Sequence, residues 1–526
     1  MDYDVAVVGG GINGAGVARE AAYRGYRTVL LEKHDFAQAT SSQSTKLIHG
    51  GLRYLETAQI RLVRESLRER RILLGIAPHL VHPLELVVPI YEGSPRPPWM
   101  IRVGTLLYDL LAGRSNLGRS RGVGAAELAQ VPFLRQEGLR GAVAYFDAQT
   151  LDSRLTLETI LSAREAGAET FNYRPVLRVR PDGPAYLLEG TDRRGGQAWQ
   201  CRARCVVNAT GPWAPFFERD TLKHPTPPIV YDRGIHFVIP SLGIRTGLYL
   251  MVSDRRLVFV LPWRERYTLI GTTETPFTGE DFAHVPASEK EIEYLLQVFN
   301  EYFPRRALKR EEVLHIYSGV RCLIAPKGGT MTGASRESEV AVFSDGPGLA
   351  WVVVYGGKLT SYRSYAVEIL DRIARRIGAP PPGGPGPGTS AVPHGPDARS
   401  APQPHRLDTA TAPLYGAVQF PGPDGPIPPA GEQQLMWQKR YGTRWHELAR
   451  RVRERPGSAE ALVPSHMFTR ADLDYQLDVE QAYLLEDITL RRTKMIYDMS
   501  PAEAARLRDA LDEAVRRRGW RPEAAG

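Results

Sequence analysis

The stretch Val5-Ala6-Val7-Val8-Gly9-Gly10-Gly11-Ile12-Asn13-Gly14 decides the fold of this chain. Its four apolar residues predict a buried strand, and the glycines that follow predict a tight turn. The segment from Ala15 to Arg24 is rich in small residues and predicts a helix. A second apolar run, from Thr28 to Leu31, ends at Glu32 and predicts another strand. This order of strand, turn, helix and strand is that of a Rossmann unit, which has a parallel sheet.

Each glycine of the G-x-G-x-x-G pattern has its own task in such a unit. Gly9 makes the tight turn, Gly11 lets a pyrophosphate approach the N–H groups at the helix N-terminus, and Gly14 lets the helix pack closely on the strand. Glu32 accepts hydrogen bonds from ribose hydroxyls, and its charge repels a 2′-phosphate. Because the strands, the helix and the acidic residue agree, the stretch predicts dinucleotide binding rather than a purely structural turn.

The composition is that of a soluble globular protein, with 526 residues of which 43% are hydrophobic and 24% charged. This length allows about two or three domains with room for an enclosed cofactor. The net charge of +8 suits an anionic substrate, an anionic membrane surface or nucleic acid. The basic residues form no clustered tract, so we do not expect a nucleic-acid partner.

The cysteines, the N-terminal pattern and the lengths of the apolar runs bear on the localisation of the protein. Cys201, Cys205 and Cys322 show neither metal-ligand spacing nor a disulfide framework, which favours a reducing compartment and no metal. The N-terminus begins with a strand pattern and not with a signal peptide. No apolar run reaches the roughly 20 residues that span a bilayer. We therefore expect a cytoplasmic protein, peripheral to the inner face of the cell membrane.

The segment from Trp99 to Leu111 is apolar with aromatic residues, and the basic residues Arg114 and Arg119 follow it. A helix of this kind lies in a membrane interface when its apolar face meets lipid. Short apolar runs more often belong to a core, so the sequence favours a buried helix.

The pattern changes in the middle of the chain. Four β-type runs between Gly234 and Thr273, separated by short polar breaks, predict an antiparallel sheet. Apolar runs that end on glycine return at Cys205–Gly211 and at Leu349–Gly357, as expected for further strands of the Rossmann unit. Ser288 to Glu291 forms a capping box for a helix that ends before Pro304.

The predicted fold class is α/β: a Rossmann-type FAD-binding domain with an inserted antiparallel-sheet substrate domain, followed by a C-terminal helical domain. Positions 380–388 are all proline or glycine and predict a linker. The last domain shows helices near 434–441 and 479–485, and one that begins at Ser500. The predicted boundaries are residues 1–75, 150–215 and 335–378 for the first domain, 76–149 and 216–334 for the substrate domain, 379–431 for the linker and 432–526 for the helical domain.

Several motifs, taken in order over about residues 1–378, resemble those of the FAD-dependent glycerol-3-phosphate dehydrogenases. The most specific is Leu47-Ile48-His49-Gly50-Gly51-Leu52-Arg53-Tyr54. The stretch Arg491-Arg492-Thr493-Lys494 resembles the C-terminal helical domain of that family. The other motifs are shared with many flavin oxidoreductases, and they are Gly9–Gly16, Asn208–Trp213, Gly271–Thr273, Tyr317–Arg321 and Gly356–Thr360.

The resemblance implies oxidation of sn-glycerol 3-phosphate to dihydroxyacetone phosphate, by hydride transfer from C2 to N5 of FAD, with electrons passed to a membrane quinone. It implies that His49 is the base near the flavin and that Arg321 stabilises charge on the C2 oxygen. It places the substrate among Arg53, Tyr54, Arg336 and Lys358. It also implies that the cofactor is bound by Gly9, Gly11, Gly14, Glu32, Thr40, Ser41, Ser42, Lys46, Gly211, Gly357, Lys358 and Thr360.

Three alternatives remain open at this point. A glycerol-3-phosphate oxidase would give the electrons to O2 and release peroxide. Another FAD-dependent hydroxy- or amino-acid oxidoreductase would hold a carboxylate in the anion site. A protein that binds FAD without turnover would act through its helical module. The sequence also leaves open whether the chain is a monomer or a homodimer.

Overall fold

The computed structural model describes residues 2–254, 256–325, 338–380, 408–417 and 431–521. Its strands, in chain order, are β1 (Tyr3–Val8), β2 (Thr28–Leu31), β3 (Leu47–Ile48), β4 (Val81–Tyr91), β5 (Arg121–Val123), β6 (Leu139–Thr150), β7 (Glu169–Phe171), β8 (Val176–Asp182), β9 (Ala185–Thr191), β10 (Ala198–Asn208), β11 (Ile229–Pro240), β12 (Gly247–Met251), β13 (Leu257–Trp263), β14 (Tyr267–Gly271), β15 (Thr275–Pro276), β16 (His315–Ile324), β17 (Glu339–Phe343), β18 (Ala350–Tyr355), β19 (Ala461–Val463) and β20 (Phe468–Thr469).

The α-helices are α1 (Ile12–Tyr23), α2 (Ile60–Ile76), α3 (Pro98–Ala112), α4 (Ala125–Leu128), α5 (Asp152–Glu165), α6 (Ala214–Asp220), α7 (Glu289–Tyr302), α8 (Tyr362–Ile377), α9 (Glu432–Tyr441), α10 (Trp445–Glu454), α11 (Arg470–Asp478) and α12 (Pro501–Arg517). Two 3-10 helices, Thr40–Ser42 and Leu52–Thr57, carry predicted site residues. The capping box predicted at Ser288 is present, and the helix predicted to begin at Ser500 has Ser500 as its N-cap.

The first sheet has the parallel core expected of a Rossmann unit. β1 lies between β2 and β10, and β18 lies on the far side of β10, all in parallel pairs. These strands are buried along almost their whole length because helices cover one face and the β8–β9 ribbon covers part of the other. The carboxyl ends of β1, β10 and β18 therefore meet at one edge, where the glycine turns follow.

The second sheet confirms the antiparallel pattern predicted between Gly234 and Thr273. Its main order is β15-β11-β14-β13-β12-β4-β6-β3, and β16 pairs with β11 along ten residues. The β12–β4 pair is parallel, while β11, β14, β13 and β12 form antiparallel neighbours. Since β3 belongs to this sheet, the residues that follow it lie where the two sheets meet.

Helix α3 corrects the expectation of a buried helix between Trp99 and Leu111. One of its faces is buried through Ile101, Thr105, Tyr108 and Ala112. The helix carries apolar side chains on most of its circumference. Only one of its faces packs on the core, so the apolar side chains on the other faces remain exposed. The exposed fractions are 68% for Trp99, 38% for Met100, 57% for Val103, 49% for Leu106 and 76% for Leu110. No helix in the described parts of the chain has both the length and the hydropathy to cross a membrane.

Part of the predicted linker packs against the first domain, which corrects the assignment of 379–431. Residues 381–407 and 418–430 lie outside the described residues. Within 408–417, Leu414 and Tyr415 are buried. The guanidinium of Arg19 donates to the carbonyls of Thr409 and Ala412, at 3.2 and 2.7 Å. The composition alone did not separate this packed segment from its surroundings.

The C-terminal helical region is tied to the first domain by buried charges. Asp35, just after β2, accepts hydrogen bonds from Arg491 at 2.5 Å and from Nη2 of Arg492 at 2.7 Å. Burial acts to raise the pKa of Asp35, but the charges of Arg492 and Arg491 outweigh it and the pKa is lowered. The Arg-Arg motif near the end of the chain thus fixes the loop that follows β2.

The helix predicted near 479–485 is wrong. α11 ends at Asp478, and the backbone from 479 to 484 is not helical. The N–H groups of Tyr483 and Leu484 donate to the carboxylate of Asp487, at 2.7 and 2.9 Å, instead of to backbone carbonyls. This carboxylate begins the π-helix Asp487–Arg492.

Candidate active site

A cavity of about 680 Å³ opens at the carboxyl edge of the parallel sheet and extends over the second sheet. The first sheet contributes the turns after β1, β10 and β18, and the second contributes residues of β11 and β16. Ligands of open α/β sheets bind at this edge. The predicted site residues that line the cavity are Gly9, Gly11, Glu32, Thr40, Ser41, His49, Arg53, Tyr54, Gly211, Arg321, Gly357, Lys358 and Thr360.

The glycine turn after β1 is closed so tightly that side chains do not fit. Gly9 has a φ of +111°, and a Cβ there would lie 2.5 Å from the carbonyl oxygen of Ala209. A Cβ on Gly14 would lie 1.9 Å from the carbonyl oxygen of Gly9. Gly14 does not line the cavity, so it acts by letting α1 approach the turn. The N-terminus of α1 then points into the cavity, where it can bind a pyrophosphate.

Glu32 lies at the end of β2 and lines the same part of the cavity. Its carboxylate accepts hydrogen bonds from the N–H groups of Gly10 and His34, at 2.6 and 2.8 Å. Burial raises the pKa of Glu32, and the two backbone donors act in the opposite direction. These contacts fix the carboxylate at the place where a Rossmann unit binds a ribose.

Lys46 and Ser42 do not line the cavity, so their predicted direct contact with the cofactor is corrected to an indirect one. Lys46 is fully buried, and its ammonium donates to Asp152 at 2.7 Å and to the carbonyl of Ser42 at 2.6 Å. Burial lowers the pKa of Lys46, against the opposing charge of Asp152. Asp152 also accepts from the hydroxyl of Ser44 at 2.7 Å. Ser44 lines the cavity, so this cluster supports the wall of the site.

The backbone that carries His49 is held from both sheets. The N–H of His49 donates to Thr360 Oγ1 at 3.1 Å, on the turn after β18. The next N–H, of Gly50, donates to Tyr108 Oη at 2.8 Å and to Asp147 at 3.2 Å. These three hydrogen bonds hold His49 at the junction of the two sheets, and His49 lines the cavity.

Asp147 and Arg70 were not identified from the sequence. Asp147 lines the cavity but is 1% exposed, and it accepts hydrogen bonds from Arg70 and Tyr108, both at 2.7 Å. The acid is therefore fully engaged in holding the His49 loop. Asp147 lies on β6 and its partners come from α2, α3 and the loop after β3, and no local motif joins these elements.

Arg321 is fixed by two acceptors. Its Nε donates to Asp232 at 2.7 Å, and its Nη2 donates to the carbonyl of Thr273 at 2.8 Å. The side chain stays 30% exposed toward the cavity because Gly234 on the neighbouring strand leaves space. A Cβ on Gly234 would lie 2.9 Å from Arg321 Nη2. The guanidinium is therefore a fixed cation in the wall.

Comparison with known proteins identifies the chain. A family model described as FAD dependent oxidoreductase matches residues 4–363, and one described as C-terminal domain of alpha-glycerophosphate oxidase matches residues 426–525. The glycerol-3-phosphate dehydrogenase of Pseudomonas aeruginosa is 37% identical over 518 residues, which cover 96% of this chain and 94% of that protein. This chain belongs to the FAD-dependent glycerol-3-phosphate dehydrogenase family.

A solved structure and a further relative are also similar to this chain. The structure of glycerol-3-phosphate dehydrogenase from Bacillus halodurans complexed with FAD superposes with a TM-score of 0.74 at 25% identity, covering 98% of this chain and 91% of that one. The D-erythritol 1-phosphate dehydrogenase of Brucella abortus is 38% identical over 374 residues, covering 70% of this chain and 73% of that protein.

The cofactor of this enzyme is FAD, and the residues present fit it. The glycine turn and Glu32 form one end of the cavity. At another edge, Gly357 has a φ of +113°, and a Cβ there would lie 2.5 Å from the amide of Asn13. Backbone without side chains at both places gives a flat group such as a flavin a close approach.

The predicted substrate residues lie next to each other at the second-sheet end of the cavity. Lys358 Nζ lies 4.0 Å from the centre of the Tyr54 ring, and Arg53 lies 3.7 Å from the carboxylate of Glu274. All four residues line the cavity. Arg336, the remaining predicted substrate residue, lies outside the described residues. Glu274 is a member of this group that sequence reasoning missed.

His236 on β11 is a second histidine in the wall that the sequence did not single out. Its Nε2 lies 2.9 Å from Thr45 Oγ1, and its ring stacks on Tyr317 with the centres 4.8 Å apart. Burial, followed by the charges of Lys46 and Arg321, holds the pKa of His236 well below its usual value. The ring is therefore neutral at pH 7. The alternation of β11, which puts His236 on the same face as Gly234, is the signal that would have found it.

Proposed function

We propose that this enzyme oxidises sn-glycerol 3-phosphate to dihydroxyacetone phosphate and passes the electrons to a membrane quinone. The observation that carries the proposal is one cavity in which a dinucleotide cradle continues into a group of cations and a histidine. The cations are Arg53, Arg321 and Lys358, and the histidine is His49. FAD supplies the hydride acceptor, its N5 atom.

The reaction removes a hydride from C2 and a proton from the C2 hydroxyl. His49 takes that proton as a general base, because a histidine accepts protons near neutral pH. The backbone that carries it is held by hydrogen bonds from the N–H groups of His49 and Gly50 to Thr360 and Tyr108, which fix the loop in the wall of the cavity.

Arg321 stabilises the negative charge that develops on the C2 oxygen as the proton leaves. Its guanidinium is already oriented by Asp232 and the Thr273 carbonyl, so no reorganisation is needed during the reaction. We assign the phosphate to the cations of the cavity, among them Lys358 beside the Tyr54 ring, because a dianion is best held by several charged donors.

A longer polyol phosphate is a second candidate substrate. The relative of 38% identity from Brucella abortus is named as a D-erythritol 1-phosphate dehydrogenase. Both candidates share a phosphate and a secondary hydroxyl, and both suit the same cations. Initial rates with glycerol 3-phosphate and with erythritol 1-phosphate, at equal concentration, distinguish them: the proposal expects the higher kcat/KM for glycerol 3-phosphate.

The exposed face of α3 supports contact with a membrane, where a quinone is dissolved. Helix α3 exposes Trp99, Val103, Leu106 and Leu110, and α2, which contacts α3, exposes Arg61, Arg64 and Arg68. A groove of about 470 Å³ between these helices is lined by Arg64, Arg68, Leu110 and Arg114. Apolar residues next to cations are the arrangement that binds an anionic lipid surface.

Vesicle sedimentation tests this membrane contact. We expect the enzyme to bind vesicles that contain anionic lipid, and the triple variant Val103→Ser/Leu106→Ser/Leu110→Ser to lose most of that binding while it still reduces its flavin. The control Leu314→Ser removes an exposed leucine elsewhere, at 39% exposure, and should bind like the wild type. Equal binding by the triple variant would rule out α3 as the contact.

The acceptor is tested by reoxidation of the reduced enzyme. A soluble quinone analogue should restore the oxidised flavin faster than dissolved O2, without stoichiometric peroxide. Peroxide formed in proportion to the substrate consumed would make the enzyme an oxidase instead.

A further inference from the structure

The substrate end of the cavity contains a carboxylate that the mechanism does not use. Glu274 lies between β14 and β15, and its Oε1 is 3.7 Å from Arg53 Nη1. The two side chains are 33% and 39% exposed, so both remain open to the cavity. A carboxylate weakens the binding of a phosphate dianion close to it. Its presence there therefore indicates a different group of the substrate.

The other carboxylates that line the cavity, within the described residues, have other tasks. Glu32 lies at the nucleotide end, and Asp147 is buried under Arg70 and Tyr108. Asp220 pairs with Arg219 on the exposed side of α6. Glu274 is thus the carboxylate that faces the reacting end of the cavity. An ionised carboxylate offers about four acceptor sites, so it can bind a hydroxyl together with Arg53.

The backbone on both sides of Glu274 is fixed. Thr273 is fully buried, and its hydroxyl donates to Glu291 at 2.9 Å and accepts from the N–H of Ile235 at 3.1 Å. On the other side, Thr275 pairs with Arg233 in the sheet. The backbone of Glu274 is therefore anchored on both sides, and Arg53 is an ion-pair partner of its carboxylate.

We propose that Glu274 accepts a hydrogen bond from the C1 hydroxyl of glycerol 3-phosphate, the hydroxyl that is not oxidised. Glu274 is thereby a specificity-determining residue that selects polyol phosphates over phosphates that lack this group. Glu274 and its partner Arg53 line the same cavity as His49, the proposed base. This inference rests on the proposed function and deepens it.

The test compares glycerol 3-phosphate with propane-1,2-diol 1-phosphate, which keeps the phosphate and the C2 hydroxyl but lacks the other hydroxyl. The readout is the rate of anaerobic flavin reduction at low substrate concentration. A charged hydrogen bond corresponds to a preference of about 10- to 100-fold for glycerol 3-phosphate in the wild type. Glu274→Ala should lose that preference by slowing glycerol 3-phosphate alone. Glu274→Gln, which keeps the shape and one acceptor oxygen, should retain part of it.

The pattern of loss separates recognition from a structural role. If both substrates slow by the same factor in both variants, Glu274 only orients Arg53 and the inference is overturned; Arg53→Ala serves as the reference for that pattern. If the FAD-loaded wild type is reduced by neither substrate, the proposed function fails and the inference fails with it. Glu137→Gln, an exposed acid outside the cavity, should leave both rates unchanged.

Discussion

The two ends of the cavity are built in different ways. The nucleotide end is formed by residues from neighbouring positions, and most of it is backbone. Gly9, Gly11, Ser41 and the Glu32 carboxylate all lie within the first fifty residues. The substrate end is formed by side chains from distant parts of the chain, including His49, Glu274, Arg321 and Lys358. Close backbone contact tolerates no added atoms, whereas side chains on separate elements can be exchanged singly. We therefore expect substitutions at the first end to remove the cofactor, and those at the second to change rate or specificity.

The largest effect is expected from Gly14→Ala. The added Cβ would lie 1.9 Å from the carbonyl oxygen of Gly9, a backbone atom that cannot move away without opening the turn. The purified variant should contain almost no FAD, measured as the ratio of flavin to protein absorbance. Gly75→Ala is the matched helical control, since a Cβ at Gly75 meets no atom within 4 Å. Normal FAD content in Gly14→Ala would contradict the claim that the nucleotide end of the cavity tolerates no added atoms.

At the substrate end, His49→Ala should keep FAD and lose rate. Removal of a general base lowers the rate of flavin reduction by about 100- to 10,000-fold. The dissociation constant of the substrate should change far less, because the phosphate contacts remain. Rapid mixing over a range of substrate concentrations measures both quantities. An unchanged limiting rate would exclude His49 as the base, and His284→Ala, at an exposed histidine, controls for the substitution itself.

A smaller loss is expected for Arg321→Ala. Loss of a fixed cation at a developing charge corresponds to about a 100-fold lower rate of flavin reduction. Arg321→Lys keeps the charge but not the fork toward Asp232 and Thr273, so it should recover only part of the rate. Full activity of the alanine variant would remove Arg321 from the mechanism.

The charges that hold the loop after β2 should affect stability more than chemistry. Asp35→Ala removes the buried carboxylate that Arg491 and Arg492 share, which leaves Arg491 with Asp487 and Arg492 with the carbonyl of Glu480 and costs about 3–5 kcal/mol of unfolding free energy at pH 7. Because the pKa of Asp35 is lowered in the folded protein, its stabilisation is present above the ordinary aspartate pKa and is lost as the pH falls through the lowered value. The difference between wild type and variant in urea unfolding should therefore shrink in acid.

The exposed pair of Arg24 and Asp371 provides the control for that experiment. Asp371→Ala removes a partner whose side chain is 53% exposed, and the expected cost is at most about 1 kcal/mol. A cost for Asp35→Ala as small as this would show that the Arg-Arg motif does not anchor the helical region.

The sequence predicted the parts of the fold that rest on local patterns. β2 begins and ends as predicted, and Gly9, Gly14 and Glu32 have the geometry expected from their spacing. Helix α3 was misassigned because an all-round apolar helix does not reveal which face meets a core. The sequence assigned Lys46 to the cofactor because it could not reveal the ion pair of Lys46 with Asp152, a residue 106 positions further along the chain.

The site residues that the sequence analysis did not identify were missed for one common reason. His236 lies in a strand with an ordinary alternating pattern and Glu274 in the short connection between β14 and β15, and the pairing of β11 with β14, β15 and β16 brings them to the cavity. No spacing along the chain encodes that pairing. The first end of the cavity could therefore be predicted from one stretch, whereas the second end required the fold.

The most direct test of the account is anaerobic mixing of the FAD-loaded enzyme with glycerol 3-phosphate, followed at the flavin absorbance of about 450 nm. We predict that the flavin absorbance falls rapidly with glycerol 3-phosphate and does not fall with glycerol at the same concentration, because the cations of the substrate end require a phosphate. An enzyme that carries FAD but keeps its absorbance with glycerol 3-phosphate would contradict the assignment of the cavity.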